Sequence, residues 1–388
     1  MGNDNQDKMQ HGKNGIESVG QMLTSLMNAD YLVNVVHPYR IGDPDYDEEQ
    51  FYFQYLIEFH DSKQWILHHT TSIKDRIAEQ QWNSEHIKRL NSNVEKAYVI
   101  VPDDMDERPQ KTAESYNKKI QEKRIYSALD GVIQFNDAYH LIEHRASETM
   151  GFGQSKAKLG LHFEQKLVDC LNNTQNLNKW KGKSQLEVGY LYPLYKDILE
   201  TFDIQQNNIT SINATSNIPR LSTGGLPKTD VVVTIATPEG NFDYTISCKR
   251  STAKSVSVHE YTADAFCNVL NPKDNELRSL LVEFQNAGGV MSMDPSDAHR
   301  LTEKLSDYKY DLCKWVIAGI GGEGNPDLQW AKYIVIVDDN TNDYRIRTVE
   351  EYISEIMNNV NGQLGTPFQW TYPSGGKGKR IQLKCKLI

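Results

Sequence analysis

The sequence predicts a mixed α/β protein of two domains, with helices flanking a central mixed sheet in the second. Three observations lead there. The chain has 388 residues, more than a single hydrophobic core usually organises. Short runs rich in Val, Ile, Tyr and Phe alternate with amphipathic stretches of helical period. Between two such regions lies "ETMGFGQSKAKLG" (148–160), with Gly151, Gly153 and Gly160, the best linker signal in the chain. The expected division is an N-terminal α/β domain of 1–150 and a second domain of 151–388.

Composition narrows the class. Apolar residues make up 38% and charged residues 24%, as in folded soluble proteins. No run approaches the roughly 18 apolar residues that a membrane helix requires. The N-terminus, "MGNDNQDKMQHGKNG", has no apolar signal core and is expected to be a short disordered lead. The five cysteines are scattered and form no CxxC pair, which argues against zinc or a disulfide frame and favours a reducing cytoplasm. The net charge of −10 is unevenly spread. Residues 1–150 hold 16 basic and 25 acidic residues, leaving 26 and 27 for the remainder. The final stretch 374–388, "SGGKGKRIQLKCKLI", has five basic residues and no acid. A local field of this kind steers an anionic partner despite the acidic sum.

The elements follow in order. A helix is expected over 15–29, then strands at 31–36, 50–59, 64–71 and 96–104, with a hairpin turn at "FHDSKQ" and helices around 82–93 and 111–125. The second domain opens on an amphipathic helix, 159–173. The strands "TDVVVTIAT" and "FDYTISCK" then meet at the Pro-Glu-Gly-Asn turn 238–241. Helices are expected at "VSVHEYTADAFCNVL" (256–270), "PKDNELRSLLVEFQNAG" and "DAHRLTEKLSDYKYDLCKWVIAG". The strands "AKYIVIVDD" and "DYRIRTV", the helix "VEEYISEIMNNV", and a last strand pair around "SGGKGK" close the chain.

Chemistry concentrates in "KTDVVVTIATPEGNFDYTISCK" (228–249). A carboxylate at a strand start, Asp230, can hold a divalent cation. Strand side chains alternate with period two, so Ser247 and Lys249 share a face and are expected to point together at Asp230 while Cys248 points away. The Cys248 carbonyl is a hard oxygen donor able to reach the same ion. Lys249 would orient a water and stabilise developing charge. Phosphodiester hydrolysis needs such a set, charge neutralisation together with an activated water. This is the PD-(D/E)xK arrangement, with Ser247 in place of the usual second acid. The same pattern also fits a turn aspartate and an edge-strand lysine with no chemistry at all.

Four ordered stretches go further. "GGLPKTDVVVTI", "ISCKRSTAKSVSVHEY", "RLTEKLSDYKYDLCKW" and "FQWTYPSGGKGKRIQLK" resemble the MspI family of type II restriction endonucleases over most of 155–388. The resemblance implies a PD-(D/E)xK-type nuclease domain and an Mg²⁺-dependent enzyme that cuts double-stranded DNA at a short palindrome, CCGG or a related sequence. It implies Asp230 as the metal-binding acid and Lys249 as the catalytic lysine. Ser247 falls where the family has an asparagine. Glu164, on the opening helix, falls on a family glutamate and would supply a further carboxylate to the metal. Glu260 and Tyr261 match a segment expected to be helical, as residues that approach the site or pack. His259 has no counterpart and reads as a solvated helix histidine. Thr371, Ser374, Gln382 and Lys384 match base-recognition positions, and lysine suits guanine O6/N7. Lys377 and Lys379 would pair with phosphates or form a solubilising tail. Gly376 replaces a family serine, removing a hydroxyl contact.

The first domain lies outside this resemblance. Its strand "WILHHTTS" sits where a catalytic strand would, yet carries His68, His69 and Thr70. Adjacent strand residues face opposite sides, so His68 and His69 are not expected to share a metal. Thr70, Thr71, Ser72, Lys74, Arg76 and Gln81 suit a DNA- or partner-contacting loop. A degenerate nuclease-like domain, a dimerising domain and an unrelated α/β domain all remain open. The expected partners are duplex DNA, with homodimerisation allowed, and a cognate DNA methyltransferase as a genetic rather than a physical partner. The alternatives are a mismatch- or modification-directed repair nuclease, and a DNA-binding protein whose catalytic centre has decayed.

Overall fold

The computed structural model describes residues 2–47, 49–103, 105–149, 163–183, 191–205, 208–251, 255–338 and 343–386. The chain divides into two compact units, Met1–Lys196 and Asp197–Ile388. This division lies C-terminal to the expected boundary at 150/151. Most of the glycine-rich linker falls outside the described residues, and the helix that follows it packs with the first unit. There Gln175 Nε2 donates to the Asn14 carbonyl (2.8 Å) and Asn173 Nδ2 to Gln21 Oε1 (2.5 Å), both acceptors on the N-terminal helix.

In the first unit the order is α1 (Gly2–Asn28), β1 (Asn34–Val36), β2 (Tyr39–Asp43), β3 (Glu49–Phe53), β4 (Tyr55–Glu58), β5 (Gln64–His69), α2 (Ile73–Leu90), β6 (Val94–Val101), α3 (Glu107–Gln121), β7 (Gly131–Gln134) and α4 (Phe135–Glu148). Helices α5 (163–172), α6 (Thr174–Trp180) and α7 (Tyr192–Thr201) follow, α7 lying across the division. The sheet runs β1-β4-β5-β6-β7, antiparallel through β5 and parallel from β5 to β7. Strands β2 and β3 form a separate antiparallel pair. Two expectations are corrected here. The N-terminal lead is helical: α1 starts at Gly2 and runs without a break into the expected helix, where Val19, Met22, Leu23 and Leu26 recur at helical spacing and are fully buried. The single strand expected over 50–59 is two strands broken at Gln54, whose side chain turns in to bond the backbone of His69.

The second unit contains β8 (Ser211–Thr215), β9 (Val231–Thr237), β10 (Gly240–Ser251), β11 (Ser255–Tyr261), α8 (Ala263–Leu270), α9 (Asn275–Ala287), α10 (Pro295–Asp307), α11 (Lys309–Ala318), β12 (Tyr333–Asp338), β13 (Asp343–Thr348), α12 (Val349–Asn359), β14 (Phe368–Thr371) and β15 (Ile381–Lys386). Its main sheet is mixed, β13-β12-β10-β9-β8, with only the β10–β12 pair parallel. A smaller sheet runs β11-β15-β14. Several of these helices start on residues that satisfy free N–H groups. Thr262 caps α8, Asp274 caps α9, and Thr348 with Glu351 forms a capping box on α12. Helices α9 and α11 end on Gly288 and Gly319, both left-handed, where a Cβ would strain the turn. Phe266, Phe284, Leu301, Leu305, Ile353, Phe368 and Trp370 are buried together in the core between these helices and the sheets. Phe266 and Phe284 meet the Trp370 ring at 5.5 and 5.7 Å. Such rings each contribute about 1.5–3 kcal/mol on burial.

The expected helix over 256–270 is half strand. Val256 and Val258 are β-branched and alternate with polar neighbours, so 255–261 extends as β11, and the helix waits for the Thr262 cap. His259 is therefore not a solvated helix residue. It is 4% exposed and packs against Trp315, ring centroids 4.1 Å apart.

Candidate active site

The site is built on the β9–β10 hairpin. The Asp230 amide donates to the Ile246 carbonyl (2.8 Å), fixing Asp230 immediately before β9 and beside the middle of β10. From there one carboxylate oxygen, Oδ2, accepts three hydrogen bonds. The donors are the Cys248 amide (2.6 Å), Ser247 Oγ (3.2 Å) and Lys249 Nζ (3.4 Å). Lys249 Nζ also donates to Ser247 Oγ (2.7 Å) and to the Cys248 carbonyl (3.0 Å). The expected convergence of Ser247 and Lys249 on Asp230 is thus present in the structure. Ser247 is fully buried, whereas the Asp230 and Lys249 side chains are 23% and 16% exposed. The carboxylate and the amine consequently face an open cleft of about 740 Å³, walled by Leu226, Lys228, Ser257, Glu260 and Arg380.

The donor set suits a hard divalent ion. Among the described residues, Asp230 Oδ1 accepts no hydrogen bond, and the Cys248 carbonyl is a hard oxygen that shares the Lys249 amine with Asp230 Oδ2. One carboxylate and one carbonyl leave the rest of a coordination shell to water and phosphate oxygens, as Mg²⁺ prefers. No group of three or more His, Cys, Asp or Glu side chains able to hold a metal occurs among the described residues. Glu164, half-buried on α5, belongs to the first unit.

Sequence reasoning missed Lys228. Its amine donates to the Val258 carbonyl (2.5 Å), tying the strand that carries Asp230 to β11. Burial, reinforced by Lys249 and opposed by Asp230, lowers its pKa to about 7. The residue lay in the same quoted stretch, but a lysine two places before an acid carries no pattern until a strand from elsewhere arrives above it. His259 lies behind it, held neutral by burial and by Lys228. Glu260 pairs with Arg380 (3.1 Å), and Tyr261 stacks on His259 with centroids 4.4 Å apart.

The β14–β15 ribbon presents the remaining residues. Ile381, Leu383 and Cys385 are buried, so Gln382 and Lys384 point to the other face. Thr371 pairs with Gln382 across the ribbon. Ser374, Lys377 and Lys379 are exposed in the connecting turn. Lys377 is not a loose tail residue, since its stem covers Gly288 and leaves no room there for a Cβ. Gly376 is more than a lost hydroxyl, because a Cβ there would lie 2.5 Å from Pro373 Cγ.

In the first unit, Thr70 Oγ1 accepts the Ser72 amide (3.1 Å) at the start of α2. Gln81 bonds Tyr116 and the Tyr126 carbonyl, and Arg76 pairs with Glu79. These polar groups hold the local turn and helix together. Thr71 is half-buried, and the Lys74 side chain lies outside the described residues. All five cysteines are free thiols, four of them buried. No helix among the described residues is long and apolar enough to cross a membrane.

The model of the family described as Restriction endonuclease MspI matches residues 139–385. The chain is 30% identical over 400 residues to the type II restriction enzyme BsuFI of Bacillus subtilis, with 99% of each chain covered. It is 27% identical over 247 residues to the type II restriction enzyme MspI of Moraxella sp, covering 60% of this chain and 91% of that enzyme. In fold it is similar to the crystal structure of MspI in complex with its cognate DNA, with a TM-score of 0.52 and 22% identity over 61% of this chain and 94% of the other.

Proposed function

The chain belongs to the MspI family of restriction endonucleases and is a type II site-specific deoxyribonuclease; on that premise we propose that it cuts CCGG or a closely related palindrome by Mg²⁺-dependent hydrolysis at the Asp230–Lys249 cluster. The observation that supports this most is the convergence of Ser247, the Cys248 amide and Lys249 on one oxygen of Asp230, which leaves the other oxygen for a cation.

Asp230 and the Cys248 carbonyl would hold Mg²⁺. When bound, the ion would neutralise charge on the phosphate oxygens. Lys249 aligns the attacking water and offers positive charge as the phosphorus becomes five-coordinate. Its three protons are already directed at three acceptors, so one bond must be exchanged for the water. The 3.4 Å contact to Asp230 is the longest and the first to yield. Ser247 acts as a positioning residue, passing a hydrogen bond from the lysine to the carboxylate while remaining out of solvent. Thr371, Ser374, Gln382 and Lys384 would read base edges in the major groove, with Lys377 and Lys379 on phosphates. The product ends would be 5′-phosphates.

Lys249→Ala is the test. It should bind a site-containing duplex as the wild type does and cleave at least about 10²–10³-fold more slowly, the loss typical of removing one charge-stabilising donor. Cleavage by Lys249→Ala at the wild-type rate would remove the residue from the mechanism. Wild type with Mg²⁺ should yield discrete fragments from phage DNA, and their mapped ends give the site.

A further inference from the structure

The two units share more than a fold class. In the second, four strands run β8-β9-β10-β12, antiparallel, antiparallel and then parallel; in the first, β1-β4-β5-β6 run in the same order with the same directions. The registers coincide too. Val36 lies opposite Leu56 as Thr215 lies opposite Val232. Tyr55 lies opposite Leu67 as Val231 lies opposite Ile246. Leu67 lies beside Tyr98 as Ile246 lies beside Tyr333.

This register identifies the counterpart of each site residue. Gln54, immediately before β4, stands where Asp230 stands before β9. His68, His69 and Thr70 stand where Ser247, Cys248 and Lys249 stand. The backbone bond that anchors the centre is kept, since the His69 amide donates to Gln54 Oε1 (2.7 Å) as the Cys248 amide donates to Asp230 Oδ2 (2.6 Å). The chemistry is not kept. Gln54 is neutral, and its Nε2 donates to the His69 carbonyl (3.0 Å), so an N–H occupies the direction from which a cation would approach that oxygen. Thr70 has no charge to offer a phosphate, and its hydroxyl is engaged in the turn into α2. His68 is 5% exposed, with the Tyr52 and Phe53 rings edge-on at 6.0 Å, and burial lowers its pKa to about 4, with Arg76 adding to the shift, so it stays neutral.

We infer that the first unit is a catalytically silent second nuclease core, which holds no divalent cation and cuts no strand, so that each chain carries one scissile centre. The inference rests on the assignment of Asp230 and Lys249 as the working centre. It explains why the strand "WILHHTTS" sits where a catalytic strand would while the two units share no motif. The chemistry-bearing positions are the ones that differ, and the strand register that unites them is invisible in residue types.

The test uses the full chain and Asp230→Asn, a near-isosteric change. A supercoiled plasmid with one recognition site is incubated with each protein and Mg²⁺, and nicked circles are quantified alongside linear product. Mn²⁺ binding is measured on the same proteins by electron paramagnetic resonance. Wild type should linearise the plasmid and bind Mn²⁺; Asp230→Asn should lose both, with nicking reduced at least 10³-fold and no residual Mn²⁺ class. Nicked circles from Asp230→Asn that disappear when Gln54→Ala is added, or a Mn²⁺ class that Asp230→Asn retains, would overturn the inference. Wild type that neither cuts nor binds Mn²⁺ would instead overturn the assignment of the working centre. Thr70→Val should leave the wild-type cleavage rate within about twofold, and a loss comparable to that of Asp230→Asn would count against silence.

Discussion

Ser247 shows how one buried hydroxyl can stand where a second acid is usual. It donates to Asp230 and accepts from Lys249, so it orients two charged groups without adding charge. Ser247→Ala would break both bonds and leave the cavity nearly unchanged. Hydrogen bonds to charged groups are worth about 1.5–3 kcal/mol. The cleavage rate constant should therefore fall on the order of 10- to 100-fold with little change in DNA affinity, as single-turnover kinetics beside a binding titration would show. An unchanged rate constant would mean that the lysine finds its position without the serine. On the β14–β15 ribbon, if Lys384 reads a base as proposed, Lys384→Ala should relax discrimination at one base pair by about 1–3 kcal/mol, measured as the ratio of cleavage rates on cognate and singly altered sites. A uniform loss on all sites would make Lys384 a phosphate contact instead.

The elements explain what the sequence could and could not tell. The β9–β10 hairpin was legible because its chemistry is local: period-two alternation alone places Ser247 and Lys249 on one face. The β11 strand was not, because 255–261 is short and runs into a helix, and its partner β15 lies more than a hundred residues away. Lys228 and the Glu260–Arg380 pair depended on that same strand and were hidden with it. The close approach of Lys377 to Gly288 was equally hidden, since that lysine comes from the far ribbon. Helix α9 allows a pH test. Its cap Asp274 is held below the usual carboxylate range by the Leu277 amide first, against the opposing effect of burial, and then by Lys304 and Tyr308. A lowered folded-state pKa contributes stability that is present above the unfolded value, near 3.8, and lost as pH falls through the folded one. Asp274→Asn keeps a capping oxygen but removes the titration, so its melting temperature should fall less steeply than that of wild type below about pH 4. Parallel acid limbs for the two proteins would show that the carboxylate is not differentially stabilised.

Across the whole molecule, charge is distributed by task. Residues 1–150 are acidic on balance, and the five basic residues of 374–388 are gathered where DNA contact is expected. Arg380 is partly neutralised by Glu260, so Lys377 and Lys379 would carry more of the proposed phosphate contact. Each lysine that displaces a counterion should contribute about 0.9 to the slope of log affinity against log salt. Lys379→Ala should lower that slope by about this amount and weaken binding evenly across sequences, measured by fluorescence anisotropy over a salt series. A slope that stays the same would place Lys379 away from the phosphates.

The three acceptors around Lys249 Nζ have one last consequence. A primary ammonium has three hydrogens, and in the resting hairpin each is aimed at an oxygen of its own strand pair. Small anions dissolved in the medium meet a sheathed group with nothing left to donate, so inorganic phosphate or sulfate should be a poor competitor of the nucleic acid. Only a ligand held in place by many contacts elsewhere can wait long enough for the amine to turn outward.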